Sequence, residues 1–185
     1  MMNTTHGAVG VALASVTVVL LPEFAVVAAV AALLGSVFPD LDLFAGVHRR
    51  TLHFPVLGWV VALPATAWAA LSPSTPSVGV AFFSLGAAAH AAMDAAGAGH
   101  ELRPWDRTSE KAVYAHVPGR WIAPRRWIRY DGAPEDLGLM GVVTVPSLLL
   151  YSGPVRGIML AALGVSIVYT AYRKRMPDLT PEWLK

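Results

Sequence analysis

From Thr51 to Met93 the chain carries no Asp, Glu, Lys or Arg, a run of 43 positions. Few folds can hold so long an uncharged stretch, and the rest of the chain repeats the pattern. Residues 1–39 contain one charged group, Glu23, and residues 137–172 contain only Arg156. Between these blocks, residues 40–50 hold four charges and residues 94–136 hold fourteen. Uncharged blocks alternating with charged ones are the pattern of membrane spans and their loops. The totals agree: 14% of residues are charged, against about 25% in a soluble domain.

Six apolar segments can be read, at about 7–21, 24–38, 55–71, 78–96, 137–153 and 155–172. Turn signals separate them: Pro22-Glu23, the Pro39 to Pro55 stretch, Ser72 to Ser77, and Ser152-Gly153-Pro154. Fifteen helical residues reach about 22 Å, short of the ~30 Å hydrocarbon core. Short spans are accommodated by local thinning of the bilayer or by snorkelling ends. Buried helices of a soluble all-α protein are the competing reading, but six such segments in 185 residues leave too little polar surface to cover them. The expected fold is all-α: a polytopic membrane bundle of about six short transmembrane helices, forming one integral membrane domain over 1–185. No Lys or Arg precedes segment 7–21, so it is read as a retained span rather than a signal peptide.

With six spans, the N-terminus, residues 39–54, residues 97–136 and the C-terminal tail share one side. That side carries 13 of the 14 basic residues, all but Arg156. The positive-inside rule makes it cytoplasmic. The expectation is a multi-pass cell-membrane protein with both termini in the cytoplasm. A net charge of +2 is too mild for a nucleic-acid binder. The absence of cysteine excludes disulfides, thiolate metal sites and a cysteine nucleophile.

All six histidines fall on the same side: His6, His48, His53, His90, His100 and His116. Asp40, Asp42 and Asp94 accompany them. Neutral imidazole with carboxylate suits Zn²⁺ or another first-row divalent ion. His90 and Asp94 are four apart on a helix and share a face. An ionisable pair in so apolar a helix is costly to bury and should face the bundle interior. The small residues around it let neighbouring helices approach closely. The plain alternative is an interhelical hydrogen bond. In Pro39-Asp40-Leu41-Asp42, two carboxylates two apart in an extended turn point to opposite sides. One can bind metal while the other orients a histidine or acts as a base. His48-Arg49-Arg50-Thr51-Leu52-His53 places two imidazoles around two guanidinium groups, a combination suited to a metal with a phosphate clamp. A solvated turn and a positive-inside flank are the plain readings of these two motifs. His6 alone is a weak signal. There is no G-x-S-x-G elbow, P-loop, HExxH or complete GxGxxG.

At these residues the chain resembles the membrane-bound metal-dependent hydrolases of the YdjM-like family, described as LexA-binding and inner-membrane-associated. The resemblance rests on Thr5-His6, Pro39-Asp40-Leu41-Asp42, His48-Arg49 with His53, and His90 with Asp94, over roughly residues 5–105. The family usually reads Thr-His-Ser at the second histidine, where this chain has Leu52-His53-Phe54. The family is distantly similar to zinc-dependent phospholipase C and P1 nuclease, all-helical enzymes that use His-x-x-x-Asp, then a further histidine, then His-x-x-x-Glu. His90, Asp94 and His100 match the first part. His116 is followed at that distance by Arg120, so the resemblance implies one or two metals rather than three.

The expected function is metal-dependent hydrolysis of a phosphoester, lipid-linked, at the cytoplasmic membrane face. The metal set is His48, His53, His90 and Asp94, then His6 and His100. Asp40 or Asp42 serves as ligand or general base, and Arg49 and Arg50 hold the phosphate. Zinc is the expected ion, and membrane lipids are the expected partners. Residues 98–136 mix aromatic and basic residues and are expected to form an interfacial loop, either a lid over anionic lipid or an anchor. Two other classes remain open: a non-catalytic scaffold that binds a regulator and keeps a structural metal, and a small transporter.

Overall fold

The computed structural model describes residues 1–179; the basic Lys185 of the tail lies outside the described residues. Helices α1 (Asn3–Ala14) and α2 (Val16–Leu20) are nearly continuous, with a step at Ser15. They are followed by α3 (Ala25–Val37), α4 (Leu57–Leu71), α5 (Thr75–Asp94), α6 (Pro134–Leu150), α7 (Gly153–Tyr172) and the short α8 (Met176–Leu179). Each apolar segment of the sequence therefore contains a helix. Four stretches are long and apolar enough to cross a membrane: Asn3–Leu20, Pro22–Leu43, Thr75–Asp94 and Gly153–Leu179. Leu57–Leu71 is apolar but shorter. Helix α6 is also short, at 17 residues, and opens on Pro134-Glu135-Asp136.

Helix ends differ from the sequence expectation where side chains cap them. The Ser72 to Ser77 turn already contains the first turn of α5. There, Ser77 N–H donates to Ser74 Oγ and Ser74 N–H donates to Ser77 Oγ, a reciprocal cap that satisfies two orphan donors.

The bundle is held close by absent side chains. A Cβ on Gly35 of α3 would lie 2.0 Å from the Phe83 carbonyl oxygen of α5. One on Gly86 would lie 2.4 Å from the Ala32 carbonyl oxygen. Helices α3 and α5 therefore pack almost backbone to backbone, as small-residue interfaces allow in membranes. Asp136 ties α6 to the start of α1. Its carboxylate is fully buried and accepts from Met2 N–H, Thr5 Oγ1–H and Gly132 N–H at 2.7, 2.8 and 3.0 Å.

Residues 98–136 are ordered rather than plain loop. Strands β1 (Val113–Ala115) and β2 (Arg120–Ile122) form an antiparallel hairpin with Tyr114 opposite Trp121, and Gly119 turns at φ +63°. The alternation is too short to read as strand from sequence. The hairpin is fastened to the first loop by Tyr114 N–H donating to the Arg49 carbonyl. Beyond it, the N–H groups of Arg125, Arg126 and Trp127 donate to the carbonyls of Ala95, Gly97 and Ala96. This strap satisfies backbone acceptors just beyond the C-terminus of α5 and closes the segment over Asp94.

Candidate metal centre

The start of α1, the end of α3, the 48–53 segment and the end of α5 converge at one end of the bundle. They bring His6, Asp40, Asp42, His48, His53, His90 and Asp94 together. His53 is 0% exposed, His90 1% and Asp94 2%.

Four atoms form the centre. Asp94 Oδ2 lies 3.2 Å from His53 Nε2 and 3.6 Å from His90 Nε2. Asp40 Oδ1 lies 3.5 Å from His53 Nε2 and 3.3 Å from His90 Nε2. Ligand atoms at the corners of a tetrahedron with zinc bonds of about 2.0–2.1 Å stand about 3.3–3.4 Å apart. The four imidazole–carboxylate spacings lie close to that edge length. His53 Nε2, His90 Nε2 and Asp94 Oδ2 are also buried without a hydrogen-bond partner. Unpaired buried polar atoms are costly, and three that converge fit a cation between them.

The other nitrogen of each ring fixes this orientation. His90 Nδ1 is 2.5 Å from the Ser36 carbonyl oxygen, which can only accept, so Nδ1 carries the proton. His53 Nδ1 is 2.9 Å from Asp42 Oδ2, and by the same logic Nδ1 donates. With metal bound, both Nε2 atoms would serve as lone-pair donors, the usual arrangement around a metal-binding histidine. Asp42 also accepts from His48 Nδ1 at 3.0 Å and from the Leu52 N–H at 3.3 Å. Residues 38–43 form a 3₁₀ turn opened by Pro39 rather than an extended turn, yet its two carboxylates still separate: Asp40 toward both Nε2 atoms, Asp42 toward the backs of two rings.

His6 stacks on His90 with centroids 3.8 Å apart, and its Nε2 lies 3.4 Å from Asp94 Oδ1. Asp94 thus faces the central cluster through one oxygen and His6 through the other. His6, His90 and Asp94 form one group able to hold a metal ion, and Asp40, His48 and His53 form another. The contacts between Asp40 and His90 and between His53 and Asp94 join them.

Charge is balanced locally. Burial disfavours the His53 imidazolium, but the Asp40 and Asp94 carboxylates outweigh it and push the group up to about 9 without metal. Burial pulls His48 down, with Arg49 adding to this against the Asp42 hydrogen bond.

A cavity of about 340 Å³ opens beside the cluster, bordered among others by His6, Asp40, His48, Arg49 and Asp94. Its volume lies at the lower end of small-molecule sites, about 300–1,000 Å³. Arg49 borders it at φ +61°. One guanidinium nitrogen of Arg49 donates to the Ala98 carbonyl at 2.8 Å, and its Nε stands 3.8 Å from Asp94 Oδ2. Arg50 turns away and lies over the Tyr114 ring, 4.6 Å from its centroid. His100 borders the cavity but stands apart from the ligand atoms, with Nδ1 2.9 Å from Ser109 Oγ and its ring stacked on Trp121. Burial lowers its pKa, helped by Arg49 and Lys111. His116 packs between Phe54 and Tyr114.

Sequence reasoning missed three features. Ser36 contributes through a backbone carbonyl, which leaves no residue-type signal. Glu101 borders the cavity with a buried, unpartnered Oε2; its position next to His100 was the available hint. Arg173 closes the far wall, paired with Asp131 at 2.7 Å.

Comparison of the chain with known protein families, with curated proteins and with solved structures finds no match. The chemistry must therefore be argued from the geometry. The chain is a mostly helical protein with helices able to span a membrane and with buried His/Asp groups that could hold a metal ion.

Proposed function

We propose that this chain is a metal-dependent, membrane-bound hydrolase that cleaves a phosphoester at the cytoplasmic face of the cell membrane. The observation that carries the proposal is the convergence of His53 Nε2, His90 Nε2, Asp94 Oδ2 and Asp40 Oδ1, each imidazole nitrogen 3.2–3.6 Å from both carboxylate oxygens, beside an open cavity. A purely structural metal site is closed by its ligands, whereas a catalytic one keeps an accessible position. The cavity favours the second. The resemblance to the YdjM-like hydrolases supports the same class, and zinc suits the two-imidazole, two-carboxylate donor set. The six-span topology with cytoplasmic termini rests on the clustering of basic residues at the site end of the helices.

A divalent ion held there would supply an activated water and a Lewis acid for a phosphoryl oxygen. The protein's own residues then have separate tasks. His53, His90 and Asp94, whose converging atoms lack hydrogen-bond partners, would hold the ion and leave a fourth position open toward Asp40 and the cavity, with His6 and His48 beside them. Asp42 acts as a positioning residue, because its carboxylate is engaged with both rings. Asp40, which reaches both the cluster and the cavity, would take a proton from the water that attacks phosphorus and return it to the ester oxygen as the P–O bond breaks. Arg49 supplies positive charge for the phosphate, and Arg50 supports the hairpin.

The test is the zinc content and the bis(p-nitrophenyl) phosphate hydrolysis of wild type beside His90→Ala and Asp94→Ala. Wild type should retain metal and hydrolyse the ester, and each variant should lose most of both. Equal metal occupancy in all three would reject the site.

A further inference from the structure

The metal cavity has an apolar continuation. Asn3 at the start of α1 borders the cavity and also a second hollow of about 280 Å³ between α1, α3 and α7. Ala8, Leu33, Val37, Met159 and Ala162 line that hollow. Five steps along α1 from Asn3 to Ala8 correspond to about 8 Å of depth at ~1.5 Å per residue. The polar pocket thus has Asn3 as a common border with a track of aliphatic side chains, which runs along helices long and apolar enough to lie in a bilayer. Inside a bilayer no hydrophobic force closes such a track, so packing against hydrocarbon is what fills it.

We propose that this track seats the hydrocarbon tail of a membrane-embedded phosphoester whose phosphate reaches the metal cavity. The proposal rests on the hydrolase reading above and narrows the substrate to a long-chain lipid phosphoester. Two observations select this occupant over an extended peptide. Asn3 borders both the track and the cavity that would receive the phosphate. Its lining is aliphatic below Asn3 and Thr4, which leaves no partners for peptide groups.

The test uses the full chain in lipid nanodiscs and a 16-carbon alkyl phosphate bearing a diazirine near the chain end. Illumination should label the α3 and α7 peptides containing Leu33 and Met159, and unlabelled hexadecyl phosphate should suppress that labelling at least tenfold. A second measurement compares hydrolysis of p-nitrophenyl hexadecyl phosphate with that of bis(p-nitrophenyl) phosphate. Ala162→Trp should lower the long-chain to short-chain ratio at least tenfold. Ile167→Trp, on an exposed part of α7 outside the track, should leave the ratio unchanged. Labelling spread evenly over the lipid-facing helices, or insensitive to competitor, would overturn the proposal even if both esters are hydrolysed. Saturable labelling of Leu33 and Met159 without metal or hydrolysis would keep the tail site and remove the hydrolase reading. The labelling is read on wild type, so a misfolded Ala162→Trp does not decide the outcome.

Discussion

Asp42 Oδ2 meets His53 Nδ1 at 2.9 Å, and this contact turns the opposite nitrogen of the ring toward Asp94 and Asp40. The same carboxylate holds His48 through its other oxygen. One buried anion therefore orients two imidazoles.

Asp42→Asn should preserve the fold and weaken the site. The amide keeps one acceptor oxygen but presents N–H groups to the second ring, so one histidine loses its partner. Loss of an outer-shell partner typically costs about 10–100-fold in metal affinity. Zinc competition against a chromogenic chelator reads this directly, and an unchanged affinity would contradict the orienting role.

The metal-free protein and its metal affinity should respond oppositely to pH. His53 is pushed up to about 9 in the folded, metal-free chain, above the ordinary ~6.5 of the unfolded chain. Its protonation stabilises the fold fully below about 6.5, and that contribution disappears as pH rises through about 9. Metal must displace this proton, so apparent zinc affinity should rise up to tenfold per pH unit until about 9. Thermal unfolding of chelated protein, paired with zinc titrations at pH 6.5, 7.5 and 8.5, measures both trends. A chelated protein that gains stability over this range would count against the charge arrangement.

Two glycine replacements separate packing from propensity. Gly35→Ala drives a methyl into the Phe83 carbonyl, 2.0 Å away before any shift. Overpacking typically costs about 1–3 kcal/mol, and here α3 must also move away from α5, carrying the Ser36 carbonyl from His90. The melting temperature and zinc occupancy should fall together. Gly141→Ala meets nothing within 4 Å and should leave zinc occupancy unchanged, with stability altered by no more than about 1 kcal/mol.

Because the chain contains no cysteine, topology can be read with one introduced thiol. Val117 is 66% exposed between the two strands of the hairpin. Val117→Cys should react with a membrane-impermeant maleimide in inside-out vesicles and resist it in right-side-out ones. Labelling in the reverse orientation would overturn the cytoplasmic placement of the site.

Much of the architecture is legible along the chain because burial in hydrocarbon excludes charge. The uncharged blocks marked helices α1 to α7, though not the short α8 in the charged tail, and the positions of His90 and Asp94 on one turn fixed their common face. Residues 98–136 were less legible. Val113–Ala115 and Arg120–Ile122 are too brief to show a period, and the strap from Arg125 to Trp127 is built from backbone N–H groups that any residue could supply.

By itself the sequence determined which segments are apolar and which donor types gather at one end. Only the tertiary structure decided that Asp40 and Asp42 diverge from a 3₁₀ turn with Asp40 reaching the imidazole cluster, that Arg49 rather than Arg50 borders the cavity, and that the Ser36 carbonyl aims His90. The physical reason is that residue pattern records burial and helical face, which are local. Tautomer and ligand geometry depend instead on partners brought to within about 3 Å by the crossing of distant helices, and that approach is set by packing.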